Sequence, residues 1–271
     1  MLKNNLLEFV PPNFSEEATA LVIESEEFLE GLRKIMPKAQ IAFLAEEKSP
    51  LCKELKIDFL RGDYTKNGLP TEPKIFDVIL AKEILTFAPN FYVTLLEINH
   101  LLKDSGFMLT EFFNVRFIKI LEGLRRGEFP MREKRFWAKW DVVKILDDAI
   151  YKEIRFLPGE RLEKISADEW ENFGFENFSE DLTTKIWLVK ARKCTAEVSA
   201  LKEIYTEEIR AELSRILHRI EYDIDTKKNL ARLIEFCRRG KIFYDYLSDF
   251  IDQVVIHEEA ANFIKKNAAE I

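Results

Sequence analysis

The sequence predicts an α/β fold, a mostly parallel sheet followed by an all-helical appendix, on three observations. Short apolar runs alternate with helix-period segments up to about Lys193, the pattern of a parallel sheet covered by helices. The stretch Ile75 to Phe112, IFDVILAKEILTFAPNFYVTLLEINHLLKDSGFMLTEFF, reads as strand, helix, strand, the crossover unit of such a sheet. From about Glu197 the strand signals cease and only helical periodicity remains.

The elements follow in order. Residues 1–14 read as an arm or short helix ending at Pro11-Pro12, and Ser15-Glu16-Glu17 suits a helical cap. Ala20–Ile23 is a first buried strand. Phe28, Leu29, Leu32 and Ile35 then form a helical stripe that ends before Pro37. Ile41–Ala45 is a second strand, Pro50 opens a short helix, and Ile57–Arg61 is a third strand. Phe76–Ala81 is apolar enough to be buried on both faces. Phe91, Leu95, Ile98, Leu101 and Leu102 share one helix face, which Lys103-Asp104-Ser105-Gly106 should end with Gly106 at positive φ. Phe107–Phe112 is the fifth strand. Val115 to Pro130 and Val142 to Ile150 read as helices. In the appendix, Val198 to Ile220, Leu230 to Cys237, Leu247 to Val255 and Ala260 to Ile264 give four more, the second stopped by Gly240.

The Ile75–Phe112 pattern, "FD-V-I-apolar, helix, L-x-E-I-x-x-L-L-K-x-x-G, strand", resembles the fourth strand, following helix and fifth strand of class I S-adenosylmethionine (SAM) dependent methyltransferases. Trp170 to Phe178, with Gly174-Phe175, and Lys185 to Ala191 resemble the family's closing part. There an aromatic-Gly-Phe turn leads into strand six, and strand seven returns antiparallel. The resemblance implies a Rossmann-like methyltransferase domain over residues 15–193, an arm at 1–14, a basic and aromatic insertion or lid at 116–165, and a helical domain at 194–271.

The resemblance also implies where SAM would lie. Glu24 and Ser25 follow the first strand. Ala45 and Glu46 take the place of the ribose-binding acid, and Gly62, Asp63 and Tyr64 match the family's "G-D" beside the adenine. Ala81 faces the transferred methyl, with Lys82 or Glu83 as a catalytic base or substrate anchor. The first loop departs from the family. Val22-Ile23-Glu24-Ser25-Glu26-Glu27-Phe28 holds no glycine, although the family brings bare backbone to the methionine end there. Its carboxylates repel a methionine carboxylate. The expectation is a methyltransferase-like protein, degenerate in SAM binding, that serves as a binding or assembly module. The alternatives are an active methyltransferase with an atypical first loop and an oligomerisation scaffold built on the helical tail. A plain helix cap is the favoured account of Ser25-Glu26-Glu27, and a solvated charge pair and ordinary turn chemistry account as well for Glu46 and Gly62-Asp63.

A second candidate surface lies in residues 116–140, where lysines and arginines outnumber glutamates. Arg132, Arg135, Trp137 and Trp140 could grip a phosphate, a sugar or an acidic protein partner. The net charge of −7 argues against general nucleic-acid or membrane-surface binding. Cys52, Cys194 and Cys237 are scattered, and neither they nor the isolated histidines form a metal motif, so no metal is expected. No apolar run spans a bilayer and no signal peptide is evident, so the chain is expected in the cytoplasm, with a homo-oligomer through the tail as one option.

Overall fold

The apolar runs assemble into one sheet because each is buried from both sides: Ala20, Leu21, Val22, Val78, Ile79 and Leu80 have no exposed surface. The computed structural model describes residues 2–11, 14, 17–69, 75–128, 135–163, 167–175, 177–194 and 205–268. Its strands are β1 (Leu2–Lys3), β2 (Thr19–Ile23), β3 (Gln40–Ala45), β4 (Asp58–Arg61), β5 (Phe76–Leu80), β6 (Leu102–Asn114), β7 (Phe136–Trp137), β8 (Tyr151–Arg161) and β9 (Thr184–Lys193). They lie in the order β1-β8-β9-β6-β5-β2-β3-β4, with β7 beside β6. The β6-β5-β2-β3-β4 half is parallel throughout, and β9 returns antiparallel along β6. This is the mostly parallel sheet with an antiparallel last strand that the sequence predicts.

The helices of the sheet unit are α1 (Leu29–Ile35), α2 (Leu51–Glu54), α3 (Tyr64–Asn67), α4 (Ile84–Phe87), α5 (Phe91–Leu101), α6 (Ile118–Arg125), α7 (Lys139–Asp148) and α8 (Asp168–Asn172). Leu29 and Leu32 of α1 share a core with Ala20, Val22, Ile41 and Phe43 of β2 and β3. The arm is β1 plus a 3-10 turn, Leu6–Phe9, closed by a reciprocal Asn5–Glu8 capping box. Ser15 and Glu16 lie outside the described residues.

Two expectations need correction. Strand six is Tyr151–Arg161, while Trp170 lies in α8 and Gly174-Phe175 in the turn after it. The alternation of charged with apolar residues in YKEIRFLPGER hides a strand whose apolar side packs Phe156 edge-on against Phe112 and Trp187. Gly106 stops no helix, because α5 ends at Leu101 and β6 already includes Gly106. A Cβ there would sit 2.9 Å from the Phe76 carbonyl, so close strand approach, and not positive φ, demands glycine.

The second unit comprises Lys152–Ile154 and Cys194–Ile271 and holds α9 (Glu207–Glu221), α10 (Thr226–Gly240), α11 (Tyr244–Val254) and α12 (Glu258–Ala268). Leu213, Ile216, Leu217 and Ile220 recur on one face of α9 and pack with Leu233, Leu247, Ile251 and Ile264 in the unit's own core. Helix α10 ends at Gly240 as expected, but Lys241 takes the left-handed conformation. The fully buried Glu221 carboxylate ties α9 to the turn before α12. It accepts bonds from the backbone amides of Ile256 (2.7 Å) and His257 (2.9 Å), from His257 Nδ1 (2.7 Å) and from His218 Nδ1 (2.8 Å).

Candidate functional site

Open α/β sheets bind ligands beyond the carboxyl ends of their strands. Here the loops after β2, β4 and β5 enclose a cavity of about 220 Å³, lined by Ile23, Glu24, Ser25, Tyr64, Thr65, Ala81, Glu83, Ile84 and Phe87. The Glu24 amide donates to the Leu44 carbonyl (2.9 Å), which carries the β2–β3 pairing one residue past β2. Glu24 then turns to φ 55°, a left-handed conformation that disfavours every residue with a Cβ. A 3-10 turn, Glu26–Phe28, feeds α1.

After β4, the Gly62 amide donates to the Ala45 carbonyl (3.1 Å). Asp63 caps α3: one carboxylate oxygen accepts from the Thr65 amide (2.9 Å) and the other pairs with Lys66 (2.6 Å). Lys66 also pairs with Glu46 (3.1 Å). After β5, the Lys82 ammonium pairs with Glu27 (3.0 Å) and lies over the Phe28 ring, while Glu83 precedes α4 and lines the cavity.

Carboxylates dominate the electrostatics. Burial raises the Glu24 pKa, and Asp63, Glu46 and Glu83 raise it further, while Lys66 opposes them. Burial and then Glu24, Glu83 and Asp63 push the Tyr64 hydroxyl up to about 12. Asp63 itself is held at about 2, chiefly by Lys66 and Thr65. Burial pulls the Lys82 pKa down, but Glu27, Glu111 and Glu83 together leave it raised.

Of the candidate residues, Glu24, Ser25, Tyr64, Ala81 and Glu83 share this cavity. Asp63 is taken up in its cap, Glu46 and Lys82 in ion pairs, and Ala45 and Gly62 in backbone pairing. The lining also includes Thr65, Ile84 and Phe87, which the sequence does not single out. Glu83 and Phe87 are four residues apart on one helical turn, a spacing that could have linked them.

The basic, aromatic stretch is engaged inside the fold. Arg135 donates to the Ala88 and Pro89 carbonyls and lies over the Phe91 ring. The Trp137 indole donates to the Leu85 carbonyl (2.9 Å) and meets Phe91 edge-on. Arg116, Lys119, Arg125 and Arg126 pair with Asp181, Glu122, Glu169 and Glu128. Arg135 and Trp137 thus spend these polar groups on backbone carbonyls of the α4–α5 segment. Trp140 is 43% exposed, and Arg132 lies outside the described residues. Among the described residues, no group of three or more His, Cys, Asp or Glu is placed to hold a metal ion, and no helix is long and apolar enough to cross a membrane.

No protein-family model matches the chain, and no curated protein matches it. Solved structures do resemble it. A chain from the complex between the Haloferax volcanii Trm112 methyltransferase activator and a methyltransferase aligns at 17% identity over 70% of this chain and 87% of its own, with a TM-score of 0.48. A SAM-dependent methyltransferase of Archaeoglobus fulgidus aligns at 16% identity, over 69% and 91%, with a TM-score of 0.47. Human N-acetylserotonin methyltransferase, solved in complex with SAM, aligns at 16% identity, over 66% and 48%, with a TM-score of 0.42. The fold is methyltransferase-like. Strand order and the antiparallel β9 carry that statement, because overlays this loose add no weight of their own.

Proposed function

We propose that this chain is a methyltransferase-like binding module whose first loop does not hold SAM in the family's ordinary way. One observation carries the reading: Glu24, with a Cβ and a carboxylate where the family has glycine, occupies a left-handed position in the first loop and is among the residues lining the cavity. A methionine carboxylate brought there meets Glu24 and Glu83. Two like charges about 4 Å apart repel by about 4 kcal/mol at an effective dielectric constant of about 20. The cavity, at about 220 Å³, is also smaller than the ~300–1,000 Å³ of ordinary ligand pockets. The same carboxylates, with Tyr64 and Phe87 beside them, favour a small cationic group over an anionic one.

Calorimetry with SAM and S-adenosylhomocysteine on the full chain tests this. The wild type is expected to give no binding heat in the micromolar range, and Glu24→Gly to gain affinity for at least one of the two. Low-micromolar binding by the wild type would overturn the reading and favour an active enzyme in which Glu24 holds the methionine ammonium of SAM. Assembly through the helical tail is a second reading, motivated by Phe243 and Phe263, which remain exposed there. None of the three cysteines is in a disulfide, which supports a reducing cytoplasmic setting.

A further inference from the structure

We propose that the cleft at the carboxyl end of β8 is a binding site for a small carboxylate with an apolar body. A cavity of about 240 Å³ opens there, lined by Phe117, Lys119, Glu160, Arg161, Leu162 and Lys185. It shares no lining residue with the cavity beside Glu24. The topology assembles it. β6 ends at Asn114 and leads through Phe117 into α6, β8 ends at Arg161, and β9 begins beside it, with the Leu162 amide donating to the Thr183 carbonyl (3.1 Å).

The floor is apolar. Phe117 is buried, and Leu162 packs against the same small core as Ile118, Trp170 and Leu182. The rim is cationic, with Lys119, Arg161 and Lys185 against a single carboxylate, Glu160. Glu160 is engaged by Lys185 (2.9 Å). Lys119 and Arg161 are held by Glu122 and Glu180, neither of which lines the cavity. The Glu180 side chain is 59% exposed, and pairs of that kind contribute only about 0–1 kcal/mol. A ligand carboxylate can therefore replace Glu180 on Arg161 at small cost, and the guanidinium offers it a two-pronged donor.

The apolar part of the ligand then rests on Phe117 and Leu162, where burial contributes about 25 cal/mol per Å². The volume limits that part to one ring or a short chain, since pockets for drug-sized molecules start near ~300 Å³. A cation of the same shape meets the lysines and the arginine instead of a carboxylate.

Amide-resolved NMR titration of the full-length chain with benzoate, benzylamine and inorganic phosphate tests the proposal. Benzoate is expected to shift the amides around Phe117, Lys119, Arg161 and Leu162 saturably, with benzylamine and phosphate producing little change. Arg161→Gln is expected to weaken benzoate roughly tenfold, the loss of a charge-assisted pair. Lys119→Gln alters a mostly exposed side chain and is expected to weaken it several-fold with the spectrum otherwise intact. The proposal fails if benzoate gives no saturable shift at millimolar concentration, or if benzylamine or phosphate shifts the same amides as strongly. It also fails if both variants bind benzoate like the wild type.

Discussion

Glu24 and Ile150 both hold left-handed backbone, at φ 55° and φ 64°. For a residue with a Cβ this conformation costs about 1–2 kcal/mol, and for a β-branched one it is a marked outlier. Glycine removes that cost but adds unfolded-state entropy. Glu24→Gly and Ile150→Gly are therefore each expected to stabilise the sheet unit by about 1 kcal/mol, read as a higher urea midpoint at unchanged slope. If Glu24→Gly destabilises, the carboxylate has a structural role that the strain argument omits. The sequence already displays the absence of glycine from this loop, because that is a matter of composition. It does not display the backbone angle, which the chain takes as it turns out of the β2–β3 pairing just after the Glu24–Leu44 hydrogen bond. Gly106 shows the same limit: the sequence marks it as special, and only the neighbouring strand shows that the cause is the Phe76 carbonyl.

Between elements, two buried carboxylates act as ties. Asp181 accepts bonds from Asn114 Nδ2 (3.1 Å) and the Trp187 indole (2.9 Å), and it pairs with Arg116 (3.3 Å) and Lys139 (3.8 Å). It thus joins the end of β6 to β9 and α7. Asp181→Ala would take one shared buried acceptor from Asn114, Arg116, Lys139 and the Trp187 indole at once. A loss of about 3–5 kcal/mol is expected in denaturant unfolding. Glu221 does the corresponding work in the helical unit. Burial pushes its pKa up, but the bonds from His218 and His257 outweigh burial and set it at about 2, below the ordinary 4.5. Its stabilisation is therefore complete above about pH 4.5 and fades as the pH falls towards 2. The full effect is on the order of 3 kcal/mol. Helical dichroism in urea at pH 6 and pH 3 should show a larger loss for wild type than for Glu221→Gln; equal losses would remove Glu221 from the account. Neither tie is legible in the sequence, because each partner set is gathered from distant segments. The apolar strands β2, β3, β5 and β6 are legible because burial on both faces leaves an unbroken apolar run. Strand β8 mixes charged with apolar residues, and its register is fixed by contacts with β9 that no local pattern records.

At the scale of the molecule, Leu213, Ile216, Leu217, Leu233, Leu247, Ile251 and Ile264 of α9 to α12 are buried within the helical unit's own core. Light scattering on the full chain and on a chain ending at Lys193 is expected to give monomers in both cases. A dimer that dissociates on removing the tail would assign assembly to Phe243 and Phe263, the former 65% exposed. The division into a sheet and a helical appendix is legible from the change of periodicity near Glu197, since the repeat length of apolar residues belongs to the local chain. The acidic cavity is legible only in part: the positions of Glu24 and Glu83 follow from the strand ends, but their convergence with Tyr64 and Phe87 is tertiary.

The partition also sets what an experimenter will see. Trp137, Trp140, Trp170 and Trp187 account for every indole in the chain, and all precede Cys194. Fluorescence is consequently blind to the last four helices, which hold about half of the described α-helical residues that give the ellipticity at 222 nm. Melting curves from the two signals can separate while each unit unfolds in a single step, and such a gap would measure the difference between two stabilities, not a folding intermediate.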